Sequence, residues 1–290
     1  MAFGLLPGYY VAGPLFNPPD LIMLRRSNLL VLSAAVLFVL TGCDALSTQA
    51  TAGTPVMLVS LNARTKGAGY TTNPVSNFYS VGSASFSSAN SATDSCRLGT
   101  YDPNAPPAAI TATAIGGGAY VAIKVSGRSD TLRKVSVTDL TYRLSTAAGI
   151  LFTPGDSITF TVPGDGNGFP AVSLQARTAE PFTLSPIVVP PAGQAMTMTW
   201  TTATDANAAM LVSLRYNNGS GTGLNAVVFC DFKDDGSGTV SAALVAPWAA
   251  STTREVFARR LRTGLIQVTG AFDSYFNMIS TYDLPTPVSP

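Results

Sequence analysis

The densest group of acidic side chains follows an apolar run in the last third of the chain. Asp231, Asp234 and Asp235 stand there, directly before a glycine. A calcium loop of the EF-hand type needs oxygen ligands at its third and twelfth positions, and here these positions hold Lys233 and Ala242. The spacing therefore excludes an EF-hand and leaves two interpretations, a cation site of another kind or a strand that ends in an Asp-Asp-Gly turn.

Basic side chains are concentrated further along, at Arg254, Arg260 and Arg262. In a strand, Arg260 and Arg262 share a face with Val256 and Ala258, because successive side chains alternate. One interpretation is a solvated strand face whose charges discourage edge pairing. The other is a patch that binds an anion or an acidic glycan.

The composition argues against catalysis. The 290 residues contain no histidine, which excludes Ser-His-Asp triads, Cys-His dyads and HExxH zinc sites. The only glutamates are Glu180 and Glu255. No motif or spacing in the sequence identifies two acids as the catalytic pair of a glycoside hydrolase. We therefore predict that the protein is not an enzyme and has no resident metal or cofactor. Because only 11% of residues are charged and the net charge is +1, nucleic acid is not an expected partner.

An export signal precedes the body of the protein. Arg25 and Arg26 follow Met23, and the apolar run 29–40 and a Thr-Gly-Cys sequence come next, which is the order of a signal peptide. The apolar run is too short for a membrane span, which takes about 20 residues. Upstream of Met23 the chain has no basic residue and is broken by Pro and Gly. We predict that translation starts at Met23 and that residues 1–42 are the signal peptide.

The tetrapeptide Leu40-Thr41-Gly42-Cys43 resembles the lipobox of bacterial lipoproteins, and it stands at the end of the apolar run, where that family has it. The resemblance implies a diacylglyceryl group on the Cys43 thiol, cleavage before this residue and acylation of the new amino terminus. Several acyl chains on one residue anchor a protein stably to a membrane. The expected location is the bacterial cell envelope, on its periplasmic face or at the cell surface. The alternative is a chance cysteine after a plain secretory signal.

Two further cysteines, Cys96 and Cys230, remain if Cys43 carries lipid. In an oxidising compartment an even pair favours a disulfide. Such a bridge requires the two Cα atoms to lie within about 7 Å of each other. The alternative is a pair of buried free thiols.

The mature chain has the pattern of an all-β protein. Residues 43–54 are interpreted as the lipidated cysteine and a small, polar, flexible tether. From 55 to 284, short apolar or alternating runs recur between Gly, Pro, Asn and Asp clusters, which is typical of an antiparallel β-sandwich. The runs 157–162 and 182–188 are among the predicted strands. The Gly-rich and Pro-rich interval 164–193 predicts a seam, so the body is one large unit or two closely packed units. Residues 285–290 are expected to form a loose tail.

Local signals predict two hairpin turns and one short helix. The glycine run 116–118 and the stretch 217–223, with its Asn-Gly step, have the chemistry of turns between antiparallel strands. The stretch 240–250 is compatible with a helix, which Pro247 limits to a turn or two.

The second half of the body, residues 171–283, resembles immunoglobulin-like β-sandwich modules of secreted bacterial proteins. The resemblance lies in the order of a MTMTW strand, a hairpin, a VVFCDF strand and a DDG turn. It implies that Trp200 and Cys230 are the core tryptophan and the second cysteine of such a domain. Cys96 departs from this pattern, because it precedes Trp200 by more residues than one module contains.

Aromatic and sulfur-containing side chains divide into a predicted core and candidates for ligand stacking. Met196, Met198 and Trp200 alternate along one strand, and we expect them in the core. Aromatic residues that flank expected loops are candidates for stacking on carbohydrate: Tyr70, Phe78, Tyr79, Tyr275 and Phe276.

Together these patterns predict a lipid-anchored, exported protein that acts as a non-catalytic binding or structural module of the cell envelope. Its expected partners are the membrane, through the lipid on Cys43, and a glycan or an envelope protein. One alternative is a lipid-anchored hydrolase of envelope or extracellular polysaccharide. Another is a surface assembly subunit that pairs through the edges of its strands.

Overall fold

The computed structural model describes residues 48–50, 53–66, 68–81, 84–86, 92–105, 112–136, 139–204, 207–268 and 274–284. The strands are β1 (Thr48–Ala50), β2 (Thr54–Lys66), β3 (Gly69–Thr72), β4 (Val75–Val81), β5 (Ala84–Phe86), β6 (Ser95–Thr100), β7 (Thr113–Ala114), β8 (Tyr120–Val125), β9 (Arg128–Lys134), β10 (Tyr142–Leu144), β11 (Ile150–Phe152), β12 (Ser157–Val162), β13 (Val172–Arg177), β14 (Met196–Thr199), β15 (Ala208–Tyr216), β16 (Ala226–Lys233), β17 (Ser237–Val240), β18 (Arg254–Val268) and β19 (Ser274–Asp283). The helix is α1 (Ala242–Ala250). No helix in these ranges has the length and hydrophobicity needed to cross a membrane.

Most strands belong to one mixed sheet of 15 strands. Its main path runs β13-β12-β8-β9-β10-β4-β2-β19-β18-β15-β16-β6, and β3, β7 and β11 pair beside this path. Two small sheets, β1 with β5 and β14 with β17, complete the described strands. The predicted all-β class is confirmed.

One pairing departs from the antiparallel architecture predicted from the sequence. β2 and β19 run parallel, with Val56 beside Tyr275 and Ala63 beside Tyr282. The first and last strands of the large sheet thus meet in its middle. The prediction of a purely antiparallel sheet is wrong at this pair, because alternation within a strand does not determine the direction of its neighbour.

The sheet curves so that the part with β12 and β13 faces the part with β18 and β19, in a sandwich-like arrangement. The ring of Phe160 in β12 lies 5.6 Å from the ring of Phe276 in β19. A Cβ on Gly264 of β18 would lie 3.2 Å from the Cβ of Ala176 in β13, so these strands also touch across the core. One continuous cluster of buried side chains fills the space, and it includes Phe160 and Trp200 from the two sides of the interval 164–193.

Alternation along β12 shows how the sequence creates this core. Ile158, Phe160 and Val162 are buried, whereas the residues between them are exposed or half-buried. Branched and aromatic side chains pack well on a strand that is buried on one face. The bounds of β12 agree with the run of alternating residues in the sequence. The buried positions of Met196, Met198 and Trp200 likewise confirm their predicted place in the core.

Proline explains one strand that the sequence patterns predict wrongly. The stretch 182–188 forms only an isolated bridge between Leu184 and Trp200. The N–H of Ser185 still donates to Thr199 O at 2.9 Å. The next residue is Pro186, which has no N–H and so cannot extend the ladder.

The helix and one predicted hairpin are present, and three residues in the middle of the predicted tether form a strand. α1 has nine residues with Pro247 inside it, slightly more than the predicted turn or two. β15 and β16 form a hairpin around 217–223, as predicted. Thr48–Ala50, in the segment interpreted as a tether, pairs as β1 with β5. Cys43, the signal peptide and the tail 285–290 lie outside the described residues.

The glycine run 116–118 does not form the predicted hairpin. β7 pairs with β4 and β8 pairs with β9, so the strands on either side of the run are not partners. The run instead packs against the second glycine-rich loop, where the N–H of Phe169 donates to Gly116 O at 2.8 Å. The hydroxyl of Tyr142 accepts from the N–H of Gly117 at 3.0 Å and donates to Gly118 O at 2.7 Å. Glycine is needed here because the loops approach so closely.

We expect Gly117→Ala to destabilise the protein, because the added methyl group would overlap the ring of Phe78. That ring is fixed by Tyr142 and Phe169, whose centroids lie 5.1 and 5.2 Å from it. Overpacking of this kind costs about 1–3 kcal/mol of unfolding free energy. Urea denaturation measures the change.

The matched control is Gly166→Ala in the partner loop, where the added Cβ has no neighbour within 4 Å. We expect this variant to stay within about 0.5 kcal/mol of the wild type. Equal effects of the two substitutions would contradict the packing of the two glycine loops.

Candidate functional site

The two cysteines of the body form a disulfide that fastens an edge strand of the sheet. Cys96 in β6 lies directly opposite Cys230 in β16, with a Cα–Cα distance of 4.1 Å. The predicted bridge is confirmed. In immunoglobulin domains the disulfide instead joins two facing sheets. Here it joins neighbouring strands of one sheet, and Trp200 packs on Phe232 at 5.9 Å between ring centroids.

A buried ion pair accounts for two residues that the sequence assigned to different sites. The side chains of Arg260 and Asp234 are 1% and 2% exposed. Arg260 donates from Nε to Asp234 Oδ2 at 2.5 Å and from Nη2 to Asp234 Oδ1 at 3.0 Å. It also donates to the carbonyl oxygens of Pro181 and Thr201. Asp234 Oδ1 also accepts a hydrogen bond from Trp200 Nε1 at 2.8 Å.

The three aspartates of the predicted cation or turn cluster occupy different environments. Asp234 points into the core, whereas Asp231 lies in β16 on the opposite face of the sheet. Asp235 is exposed, and its Oδ1 accepts from the N–H of Ser237 at 3.3 Å in the turn before β17. Among the described residues no group of three or more His, Cys, Asp or Glu side chains is placed to hold a metal ion. The turn interpretation agrees with this geometry, and a cation site shared by the three does not.

The three arginines of the predicted anion patch are also separated. Arg260 faces the core with Val256 and Ala258, as alternation predicts, but it is buried rather than solvated. Arg254 donates to the carbonyl oxygens of Ala249 and Ser251 at the end of α1. Arg262 donates to Arg177 O at 2.6 Å. Arg254 and Arg262 are about 26 Å apart along an extended strand, too far to bind one small anion together. The structure therefore corrects the assignment of these three residues to one patch.

We expect Asp234→Ala to lower the unfolding free energy by about 3–5 kcal/mol, because it leaves a buried guanidinium without its carboxylate. Asp235→Ala is the matched control, since it removes a neighbouring acid that is exposed. It should cost about 1 kcal/mol or less, the value of one hydrogen bond in a turn. Chemical denaturation measures the unfolding free energy of both variants. If the two variants lost similar amounts, the buried ion pair would not have the large stabilising effect expected here.

The face of β16, β15 and β18 that points away from the core carries stacked guanidinium groups and aromatic rings. Arg215 lies 4.8 Å from the ring centroid of Tyr101 and 4.6 Å from that of Phe257. Arg259 covers Phe257 at 5.2 Å, and Arg97 covers Phe229 at 4.5 Å. Tyr101, Arg97, Phe229, Arg215, Phe257 and Arg259 are called the arginine–aromatic layer.

Carboxylates hold two of the three arginines of this layer in place. Arg215 Nη1 lies 2.8 Å from Glu255 Oε1. Arg259 binds Asp283 through two hydrogen bonds of 2.6 and 2.8 Å. Asn62 of β2 donates to the same Asp283 carboxylate at 3.1 Å. Because these guanidinium groups are held rigidly, the layer is preorganised to contact planar or carboxylate-bearing groups.

Sequence reasoning did not find the arginine–aromatic layer. Its members come from four strands and from the segment after β6, and only the pairing register brings them together. A usable signal was present in β18, where Glu255, Phe257 and Arg259 alternate with buried residues. That pattern predicts a shared outward face, although not which side chains of the neighbouring strands meet it.

The aromatic residues proposed for carbohydrate stacking lie in different environments in the structure. Phe78 and Phe276 belong to the core and are 1% and 0% exposed. Tyr70 forms a hydroxyl–hydroxyl hydrogen bond of 2.8 Å with Tyr282. Tyr79 and Tyr275 lie on the face that points away from the core, on either side of Val56.

Asp231 has an unusual electrostatic environment beside the layer. The pKa of its carboxyl group is raised from 3.8 to about 6. Burial is the largest cause of the raised pKa; the charge of Arg97 lowers this pKa, and the charge of Asp94 raises it. Asp94 is itself held by the N–H of Lys233 at 2.8 Å and by the Lys233 Nζ at 3.7 Å. Asp231 therefore ionises in the folded protein only at a cost in stability.

We expect Asp231→Asn to stabilise the protein at pH 8 by about 1–3 kcal/mol, because a raised pKa makes the ionised carboxylate unfavourable in the folded state. The stability of the wild type should fall as the pH rises from 4 through about 6, and the variant should lack this fall. Below about pH 3 the carboxyl is protonated in both the folded and the unfolded state, so the two proteins should unfold at similar urea concentrations. A variant that is no more stable than the wild type at pH 8 would contradict this assignment.

Comparison with known proteins found no family model that matches the chain. It also found no curated protein that matches it.

Proposed function

We propose that this protein is a lipid-anchored, non-catalytic binding or structural module of the bacterial cell envelope, with a β-sandwich body. The observation that carries the proposal is the arrangement of the three cysteines, two in a disulfide and one at the end of the signal-like run. Cys96 and Cys230 are joined, which suits an oxidising compartment outside the cytoplasm. Cys43, the third cysteine, stands at the end of a signal-like apolar run, where lipidation requires it.

The arginine–aromatic layer is the surface through which we propose that the module makes contact with an envelope glycan or protein. Arg and aromatic side chains are enriched at the centres of binding interfaces. Their stacking here keeps long side chains in one conformation, which reduces the entropy lost on binding. The acids beside them, Glu255 and Asp283, are already bound to arginine and do not suggest proton transfer.

The geometry gives less support to an assembly subunit that pairs through strand edges. One edge of the large sheet is β6, which has six residues and includes the charged Arg97. A short, charged strand resists edge-to-edge pairing. The other edge is β13, whose last residue Arg177 binds Arg262 through its carbonyl oxygen.

Metabolic labelling of the full chain with an alkyne-bearing fatty acid in a bacterial host tests the proposed anchor. We expect the wild type to carry the label and to sediment with the membrane fraction. Cys43→Ala should lose both properties, because it removes the thiol that accepts the diacylglyceryl group.

The matched control is the double variant with Cys96→Ala and Cys230→Ala, which removes the other two cysteines. It should keep both the label and the membrane location. A wild type found only in the soluble fraction, or a label retained by Cys43→Ala, would overturn the proposal.

A further inference from the structure

Two arginines lie side by side in a part of the large sheet that is distant from the arginine–aromatic layer. Arg143 in β10 is directly opposite Arg133 in β9, and Arg133 is also directly opposite Tyr120 in β8. Leu132 and Tyr142, the residues before the two arginines, are buried in the core. Alternation therefore directs both arginines, and with them Tyr120, to the face that points away from the core. Arg133 and Tyr120 are exposed there, and Arg143 is half-buried.

The positive charges of the two arginines are poorly compensated within the protein. Directly opposite positions of an antiparallel pair have Cβ atoms about 5 Å apart, and like charges at such positions destabilise the sheet. Among the described residues, no carboxylate forms an ion pair with either arginine. The chain as a whole has a net charge of only +1, but residues 120–143 contain five basic and two acidic side chains. A bound anion would relieve the repulsion between the arginines.

The two acids of this stretch have other partners. Asp139 Oδ1 accepts from the N–H of Thr141 at 2.9 Å. The pKa of Asp139 is lowered chiefly by a hydrogen bond from the Thr141 side chain, and the charge of Arg143 is the smallest of the causes that lower it. Asp130 accepts from the next N–H of β9 at 2.7 Å. It lies three positions before Arg133 in the same strand, so it points to the other face.

Two hydrogen-bond donors beside the arginines are buried and have no partner among the described residues. They are Arg143 Nε and Asn77 Nδ2. Asn77 is only 5% exposed. Because Val75 is directly opposite Arg143, Asn77 lies diagonally across from this arginine on the same face, where positions are about 7–8 Å apart. Buried donors without acceptors are unfavourable. A ligand that carries several oxygen atoms would satisfy both of them.

We propose that Arg133, Arg143 and Tyr120 form a binding site for a carboxylate-bearing sugar unit of an acidic polysaccharide. The two guanidinium groups bind the carboxylate, because arginine offers paired donors that match its two oxygen atoms. The exposed ring of Tyr120 provides an aromatic surface on which the apolar side of the sugar ring stacks. Arg143 Nε and Asn77 Nδ2 then donate to further oxygen atoms of the sugar.

This site is separate from the arginine–aromatic layer. β4, β2 and β19 lie between β10 and β18 in the large sheet. Four steps between neighbouring strands correspond to about 19 Å at about 4.8 Å per step. A single sugar unit does not reach both places. The inference therefore goes beyond the proposed function, and it does not depend on the lipid anchor.

Binding of a fluorescently labelled galacturonic acid trisaccharide to the full chain, purified in detergent, tests the site. Fluorescence anisotropy measures the Kd. We expect Arg143→Gln and Arg133→Gln each to raise the Kd about tenfold, because each removes a charged donor to the carboxylate. Tyr120→Ala should raise the Kd several-fold through the loss of stacking. The matching galactose trisaccharide, which has no carboxylate, should bind at least about tenfold more weakly than the acidic sugar.

The matched control is Arg128→Gln, which removes the same charge from the same strand. Arg128 is exposed and lies five positions before Arg133 in β9, so its side chain points to the other face. We expect its Kd to equal that of the wild type. If Arg128→Gln weakened binding as much as Arg133→Gln, the binding would come from the overall positive charge, and the proposed site would be wrong.

Thermal unfolding supplies a second measurement that does not depend on the label. The acidic trisaccharide should raise the Tm of the wild type and of Arg128→Gln, because a ligand that binds the folded state stabilises it. It should leave the Tm of Arg133→Gln unchanged. This exposed position also removes one of two repelling charges, so we expect the variant to fold at least as well as the wild type.

Three results would overturn the proposal. The first is a wild type that does not bind the acidic trisaccharide. The second is equal binding of the acidic and the neutral sugar. The third is displacement of the acidic sugar by inorganic phosphate at the same concentration, which would assign the arginines to a small oxyanion instead. None of these results bears on Cys43, so they leave the lipid anchor to its own test.

Discussion

The buried ion pair between Arg260 and Asp234 is the constraint on which the organisation of the second half of the body depends. Two charges removed from water are tolerated only if their hydrogen-bonding groups are satisfied. Asp234 meets this condition by accepting from Arg260 and Trp200, and Arg260 meets it by also reaching two carbonyl oxygens. The pair thereby fixes four segments relative to one another: β18, the turn after β16, the end of β14 and the segment around Pro181.

The two faces of β18 use arginine in different ways. On the core face, Arg260 is enclosed and its position is dictated by a carboxylate and by carbonyl groups. On the outward face, Arg259 covers a ring and binds Asp283 while remaining partly in contact with water. The same residue type therefore secures the packing of the sheet on one side and forms a stacked, partly hydrated surface on the other. Adjacent positions in the sequence acquire these separate roles because side chains alternate along a strand.

The sequence was informative wherever a property depends on neighbouring residues. Alternation predicted the extent of β12 and placed Arg260 on the same face as Val256, and cysteine counting predicted the bridge to Cys230. Properties that depend on distant pairing were not predictable. Nothing near Asp234 indicates a partner 26 residues further along the chain, because an Asp-Asp-Gly sequence has the same composition in a solvated turn. β6 was missed for a related reason, since an edge strand is largely exposed and lacks a clear apolar alternation.

The parallel pairing of β2 with β19 has a consequence for the order in which the protein folds. The two strands at the centre of the sheet are separated by almost the whole body in sequence, so their contact has a very large loop-closure entropy and forms late. A chain that emerges from the amino terminus exposes β2 first, and β2 must wait for the final strand before one of its edges is covered. For a chain that is exported as proposed above, this delay is useful, because the centre of the sheet closes only after the last strand of the body has also crossed the membrane.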